Sequence, residues 1–146
     1  MRALVLVSAV LLAACGNEAA TPVFHADGRP DRLSEWGMVS AINGELVLSA
    51  GVEPYDLNTP LFTDHAGKLR TIWMPEGESA RYREGEVLDF PVGTVITKTF
   101  YYPVDENGHV LRGDGDLQVS ERPETLDLAR VRLVETRILV HRETGW

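Results

Sequence analysis

The chain has 146 residues, of which 44% are hydrophobic and 25% are charged, and its formal net charge is −8. This length suits one domain with its own core, because domains of this size bury well over half of the surface that the unfolded chain exposes. The negative charge would repel phosphate groups. We therefore exclude nucleic acid as a partner and expect no electrostatic attraction to anionic lipid headgroups.

Residues 1–14 have the pattern of a secretory signal peptide. A positive residue, Arg2, precedes an apolar run from Ala3 to Leu12, and small residues follow the run. The run is too short to cross a bilayer as a helix. The pattern therefore predicts export.

The sequence LAAC at residues 12–15 resembles the lipobox of bacterial lipoproteins. The resemblance implies that Cys15 carries a diacylglyceryl group on sulfur and becomes the mature N-terminus, anchored by two or more acyl chains. Cys15 is the only cysteine, so no internal disulfide can form, and acylation explains an unpaired cysteine in an exported chain. Gly16 and Asn17 after it imply the outer membrane, facing the periplasm. The alternative is a plain signal peptide in which Cys15 is incidental.

Residues 15–30 show no periodicity, which predicts a flexible tether between the acylated cysteine and a single domain at residues 31–146. We expect His25, within this tether, to be solvated. Residues 31–36 predict a short helical turn that pairs Leu33 with Trp36 and ends at Gly37.

Strands follow, each bounded by turn residues. The first is predicted at residues 46–48, after the Asn43-Gly44 turn. Two prolines make residues 52–62 extended, and we expect this segment to hold four side chains against a sheet. They are Tyr55, Leu57, Leu61 and Phe62. Further strands are predicted at residues 69–74 and 80–83.

The run DFPVGTVITKTFYYP at residues 89–103 predicts the central strand, because it is rich in β-branched and aromatic residues between proline stops. Asn107-Gly108 predicts a hairpin, and residues 112–127 a loop. Residues 131–141 alternate, which places Val134, Thr136, Ile138 and Val140 on one face. Two interpretations stay open for Trp146: it packs on the core, or the chain is part of a longer protein.

No long helical pattern follows the signal peptide, and turn residues recur about every eight to twelve residues, a spacing typical of all-β domains. The sequence therefore predicts an all-β fold. We expect a two-layer sandwich or jelly-roll-like sheet pair with at most one or two short helices.

Five segments together resemble an uncharacterised family of proteobacterial exported proteins, often lipoproteins, associated with c-type cytochromes. They are LSEWG at 33–37, VEPYDLNTPLF at 52–62, the run at 89–103, ETRILV at 135–140 and GW at 145–146. Family members generally continue past this Gly-Trp, and haem-carrying relatives have Cys-x-x-Cys-His. With Cys15 alone, covalent haem attachment is excluded for this chain. The resemblance therefore implies a link to a c-type cytochrome either through a partner or through a missing C-terminal part, and we expect no cofactor in this domain.

Asp56, Asp64 and His65 are the metal candidates, because carboxylate and imidazole groups are ligands of hard or borderline cations. The alternative is a turn in which Asp64 caps a backbone group. A second acidic set could hold calcium, although its order is not that of an EF-hand loop and a solvated loop is the alternative. It consists of Asp105, Asn107, Asp114 and Asp116.

Five aromatic residues form a sugar-binding platform if they share an exposed face, or pack in the core if they do not. They are Tyr55, Trp73, Tyr82, Tyr101 and Tyr102. Lys98 either points to the solvent or pairs with an acid. No Gly-x-Ser-x-Gly or Gly-x-Gly-x-x-Gly motif is present, so we assign no catalytic residue. We expect an interaction or scaffolding role in an envelope complex, with a glycan-binding module and a metal-dependent enzyme as the alternatives.

Overall fold

The computed structural model describes residues 20–59, 61–112 and 125–146. They form an all-β sandwich of two antiparallel sheets, which confirms the predicted fold class. A short 3₁₀ helix, Leu33–Trp36, precedes the strands. The strands are β1 (Val39–Ile42), β2 (Glu45–Leu48), β3 (Glu53–Pro54), β4 (Gly67–Trp73), β5 (Val95–Pro103), β6 (Thr125–Asp127) and β7 (Val131–Val140).

The two sheets differ in size and in how their strands connect. The smaller has the order β1-β2-β6, and the larger has the order β3-β4-β5-β7. β5 lies between β4 and β7 and pairs with both from Val95 to Tyr101, so the prediction of a central strand is confirmed. Among the described strands, β7 is one edge of the larger sheet and β3 is the other.

The inner faces of the two sheets meet in a core that is part apolar and part hydroxyl. Thr71 and Thr97 are cross-strand neighbours, and their hydroxyls lie 2.6 Å apart. One hydroxyl donates a hydrogen bond to the other, so both buried hydroxyls have a partner within the protein. Apolar residues gather around them in two clusters. One contains Val39, Leu46, Leu69, Tyr101 and Leu126, and the other contains Trp36, Met38, Val52 and Val95.

Gly67 is required by the ring of Tyr101, its partner across β4 and β5. A Cβ at position 67 would lie 2.4 Å from ring atoms of Tyr101, well inside van der Waals contact. The missing side chain therefore lets this large ring lie flat over β4 in the core. Burial raises the pKa of the Tyr101 phenol to about 12, with a smaller contribution from the charge of Asp56.

A β-bulge interrupts the pairing of β7 with β5. Phe100 faces Glu135 and the next residue, Tyr101, faces Leu133, so Val134 is an extra residue in β7. Ile138 and Val140 share a face, as predicted, and this face packs against the second core cluster. The prediction that Val134 shares their face is wrong, because the bulge breaks the alternation and leaves this side chain exposed.

The beginning of the described chain is bound to the sandwich. Val23 donates its N–H to the Trp36 carbonyl at 3.0 Å. Gly37 has a φ of 62°, and its missing side chain leaves room for the backbone of Thr21. A Cβ at position 37 would clash with the Thr21 carbonyl oxygen. Gly37 therefore ends the 3₁₀ helix as predicted and also admits the N-terminal segment.

Residues 24–30 are held as well. His25 donates from Nε2 to the Glu35 carbonyl at 3.0 Å and lies edge-on to Trp36 at 4.9 Å between ring centroids. Arg142 donates to the carbonyls of His25 and Gly28. The structure thus differs from the expected flexible tether over residues 20–30, because backbone groups there find partners on the domain.

Three other local predictions are corrected. Leu57, Leu61 and Phe62 are exposed rather than packed on the sheet, Leu61 and Phe62 each by 76%. Residues 125–127, predicted as loop, form β6 and pair with β2. The predicted strand at residues 80–83 is reduced to one bridge, between Arg81 and Asp89.

Candidate functional site

The structure does not bring Asp56, Asp64 and His65 together as a metal-binding group. Asp56 Oδ1 lies 2.7 Å from Arg70 Nη1. Asp64 faces Arg112 at 3.8 Å, and the ring of His65 lies edge-on to Phe62, with centroids 5.1 Å apart. Within the described parts of the chain, no group of three or more histidine, cysteine, aspartate or glutamate residues could hold a metal ion.

Of the four calcium candidates, Asp105 and Asn107 lie in a described turn. Asp105 Oδ1 accepts the backbone N–H groups of Asn107 and His109, each at 2.8 Å. The hydrogen bond from the His109 backbone is the largest cause that holds the pKa of Asp105 below its usual value. The backbone hydrogen bond from Asn107 lowers this pKa further. This carboxylate therefore stabilises the Asn107-Gly108 hairpin turn. Asp114 and Asp116 lie outside the described residues.

The aromatic residues do not share one exposed face. Tyr101 is buried on the inner face of β5, and Tyr102, its neighbour, lies on the opposite face beneath Arg112. Trp73 packs against the second core cluster. Tyr82 is 74% exposed in the loop between β4 and β5. Tyr55 is half-buried beside Arg70, and burial raises its pKa.

A cleft of about 540 Å³ lies between the 3₁₀ helix and the edge strand β7. Trp36 and Ile138 give it apolar walls, while Arg29 and Asp31 bring charged groups to its rim. Trp146 closes one side and stacks on His141 at 4.7 Å, with ring planes 7° apart. The cleft can accommodate a small amphipathic molecule.

The most distinctive feature is a basic row across the outer face of the larger sheet. Register places Arg70, Lys98 and Arg137 side by side on β4, β5 and β7. Alternate residues of a strand point to opposite faces of the sheet. The basic side chains therefore lie on the outer face, whereas the buried Thr71 and Thr97 lie on the inner face. We call these three residues the basic row.

Neighbouring groups hold the basic row in place. Phe100 forms its floor, with Lys98 Nζ 4.7 Å and the Arg137 guanidinium 5.0 Å from the ring centroid, a cation–π arrangement. Asp56 binds Arg70, and Glu135 binds Arg137 at 2.6 Å. Within the described part of the chain, Lys98 forms no salt bridge.

The charges of the basic row also act on a neighbouring lysine. Lys68 lies beside it on β4 and donates to the Leu61 carbonyl at 2.8 Å. Burial lowers the pKa of the Lys68 amine, and the positive charges of Arg70 and Lys98 lower it further. Asp56 and Glu135 offset the two arginines, and Lys68 and Lys98 leave this sheet face with positive charge that can bind carboxylate or other anionic groups.

Sequence reasoning did not find the basic row, because its members are far apart in the chain and only strand register brings them together. Two local signs pointed toward it. Lys98 stands alone among β-branched and aromatic residues, and Arg137 belongs to the alternating run of the last strand.

Comparisons with protein-family models, with curated proteins and with solved structures find no match to this chain. The fold and the candidate site therefore rest on the chain's own residues. No helix in the described residues is long and apolar enough to span a membrane.

Proposed function

We propose that this protein is a lipid-anchored domain of the bacterial cell envelope that binds a protein partner through the basic row. The observation that carries the proposal is the alignment of Arg70, Lys98 and Arg137 on one face of a chain with net charge −8. Asp56 and Glu135 already offset the charges of the two arginines. Lys98 forms no salt bridge in the described chain, so its charge is left for an acidic surface on a partner.

Geometry separates the three positions of the row by role. Arg70 is 5% exposed and already bound to Asp56, so it contributes mainly to the local potential. Arg137 is 66% exposed, and Lys98 is half-buried between the two arginines without a carboxylate partner in the described chain. Lys98 and Arg137 are therefore the groups that we expect to contact the partner.

The location proposed for the domain rests on the N-terminal sequence. The LAAC segment supports acylation of Cys15, and Gly16 with Asn17 supports the outer membrane, facing the periplasm. The resemblance described above supports a c-type cytochrome as the partner. An acidic surface on that cytochrome would complement the basic row.

Labelling in cells tests the anchor. A Cys15→Ser chain should incorporate no radioactive or clickable fatty acid and should leave the membrane fraction, because the sulfur that carries the lipid is gone. Fatty-acid labelling that persists in this variant would overturn the proposed anchor.

A charge reversal tests the surface. Lys98→Glu should weaken recovery of an envelope partner by about tenfold or more in cross-linking pull-downs, because it replaces attraction with repulsion at the centre of the row. Arg81→Glu is the matched control, because it makes the same charge change on the exposed 76–88 loop. Equal recovery with both variants would reject the basic row as the binding surface.

The cleft beside Trp146 favours a second candidate function, binding of a small ligand such as a glycan. Trp146, which is 55% exposed, supplies aromatic surface, and Arg29 with Asp31 supplies polar groups. Titration of oligosaccharides should then quench tryptophan fluorescence, and Trp146→Ala should remove the response. An unchanged signal in the parent protein would reject this candidate.

A further inference from the structure

The loop at residues 57–66, between β3 and β4, exposes apolar side chains. Leu61 and Phe62 are each 76% exposed, and Leu57 is 44% exposed. Adjacent apolar side chains presented to the solvent are typical of a surface that contacts a protein or a membrane. The position of this loop relative to the beginning of the described chain decides between the two.

The backbone of this loop is fixed to the domain beside the exposed pair. Lys68 donates from Nζ to the Leu61 carbonyl at 2.8 Å. Ala66 donates its N–H to the Thr63 carbonyl at 2.9 Å, which closes a turn immediately before β4. The loop therefore presents the side chains of Leu61 and Phe62 from a backbone that has its own partners.

The loop lies at one end of the sandwich. It leads into Gly67, the first residue of β4, which pairs with Tyr101 near the end of β5. The first core cluster lies at this same end, because it contains Leu69 and Tyr101. We call this end of the sandwich the Gly67 end.

β1 runs toward the Gly67 end. Met38, just before β1, packs in the second core cluster, whereas Val39 packs in the first. The turn that follows β1 lies at the Gly67 end, because Leu128 packs against the first cluster and donates its N–H to the Gly44 carbonyl. Ser40, within β1, is therefore closer to the Gly67 end than Trp36 is.

The beginning of the described chain runs alongside β1 in the opposite direction. Val23 is bonded to Trp36 and Ala20 is bonded to Ser40, so the chain traced back from Val23 to Ala20 approaches the Gly67 end. Only residues 16–19 lie between Ala20 and Cys15. A lipid on Cys15 would therefore hold the Gly67 end close to the bilayer.

We propose that Leu61 and Phe62 insert into the bilayer that holds the lipid of Cys15. The proposal rests on the anchor proposed above. A short tether gives the loop a high effective concentration at the membrane, so two apolar side chains are enough to form a second contact. They enter the boundary between headgroups and acyl chains, as the apolar faces of interfacial segments do. This contact needs no anionic lipid and is compatible with an acidic chain.

Insertion at this loop would also orient the domain. The acyl chains and the loop make two separate contacts with the bilayer at the Gly67 end, so the strands of the larger sheet point away from the membrane. The basic row crosses these strands at Arg70, Lys98 and Arg137. It would therefore face sideways, toward proteins held in the same membrane.

Fluorescence quenching of the lipidated chain in phosphatidylcholine vesicles tests the proposal. With Cys15 acylated, Leu61→Cys supplies a single free thiol for a small fluorophore. Lipids that carry a nitroxide on the acyl chain should quench this label at least about twofold more than the same label at Val87→Cys. Val87 is the matched control because it is an apolar residue, 89% exposed, in the segment that joins β4 to β5 at the other end of the sandwich.

A second substitution tests the cause of the quenching. Phe62→Asp should reduce the quenching at position 61 to the level at position 87, because a carboxylate beside the label opposes entry into the acyl region. Both loop side chains are exposed, so neither substitution opens a cavity in the core. Quenching at position 61 that is unchanged by Phe62→Asp would overturn the proposal.

Flotation of the same vesicles reports the anchor separately. The chain should float with the vesicles whichever residue carries the label. A chain that floats but is quenched equally at positions 61 and 87 overturns the insertion and leaves the anchor in place. A chain that does not float overturns the anchor, and the insertion with it.

Discussion

Replacing Asp56 by Asn should destabilise the domain by about 1–3 kcal/mol, because the guanidinium of Arg70 would lose its carboxylate in a largely buried position. Breaking a fully buried ion pair costs about 3–5 kcal/mol, and breaking an exposed one costs about 0–1 kcal/mol. Here Arg70 is 5% exposed and Asp56 31% exposed, so water can reach one side of the pair and the expected cost lies between. Asn keeps the acceptor that receives the Leu57 N–H, so the substitution isolates the charge.

Urea unfolding of Asp56→Asn and of a control measures this cost. The control is Glu86→Gln, which removes the carboxylate partner of Arg83 from an exposed pair with side chains 52% and 60% accessible. We expect the control to lose less than about 0.5 kcal/mol. If the free energies of unfolding of the two variants agree within about 0.3 kcal/mol, then Asp56 does not neutralise a buried charge and the account of Arg70 is wrong.

Three further outcomes are expected. Thr97→Val should lower the free energy of unfolding in urea by about 1–3 kcal/mol, because it leaves the buried Thr71 hydroxyl without its hydrogen-bond partner. Adding Thr71→Val should recover most of that loss, and additive costs would refute the pairing. Tyr101 should ionise near pH 12 in an absorbance titration. Because its folded pKa of about 12 is raised, its contribution to stability is complete below about pH 10 and is lost between about pH 10 and 12. The folded pKa of Asp105 is lowered, so its carboxylate should stabilise the hairpin above about pH 4 and lose that effect as the pH falls through the folded pKa. The chemical shift of the His109 amide proton in NMR would report this transition. An Asp105→Asn chain should lack it.

Local chemistry made much of the fold predictable. The run at residues 89–103 combines β-branched and aromatic residues between two prolines, and it contains the central strand because such residues suit a pleated, half-buried sheet surface. Asn43-Gly44 and Asn107-Gly108 form turns, since both residues of such turns tolerate positive φ. Asn43, Gly44 and Gly108 do have positive φ.

The features that could not be predicted depend on partners distant in the chain. β6 has three residues and exists because β2 offers it an edge, which no local pattern encodes. Leu61 and Phe62 look like core residues by composition, yet the chain is exposed there. The bulge at Val134 and the basic row both follow from register, which a single strand does not specify.

The hydrogen bonds that fix the beginning of the described chain limit how far the domain could act from a membrane. Ala20 donates its N–H to Ser40 Oγ at 3.0 Å, and the segment that follows stays bound to the sandwich. If Cys15 carries the proposed lipid, the five residues from there to Ala20 can span at most about 18 Å. The domain would then work against the bilayer surface, within reach of membrane-bound proteins and out of reach of partners confined to the middle of the periplasm.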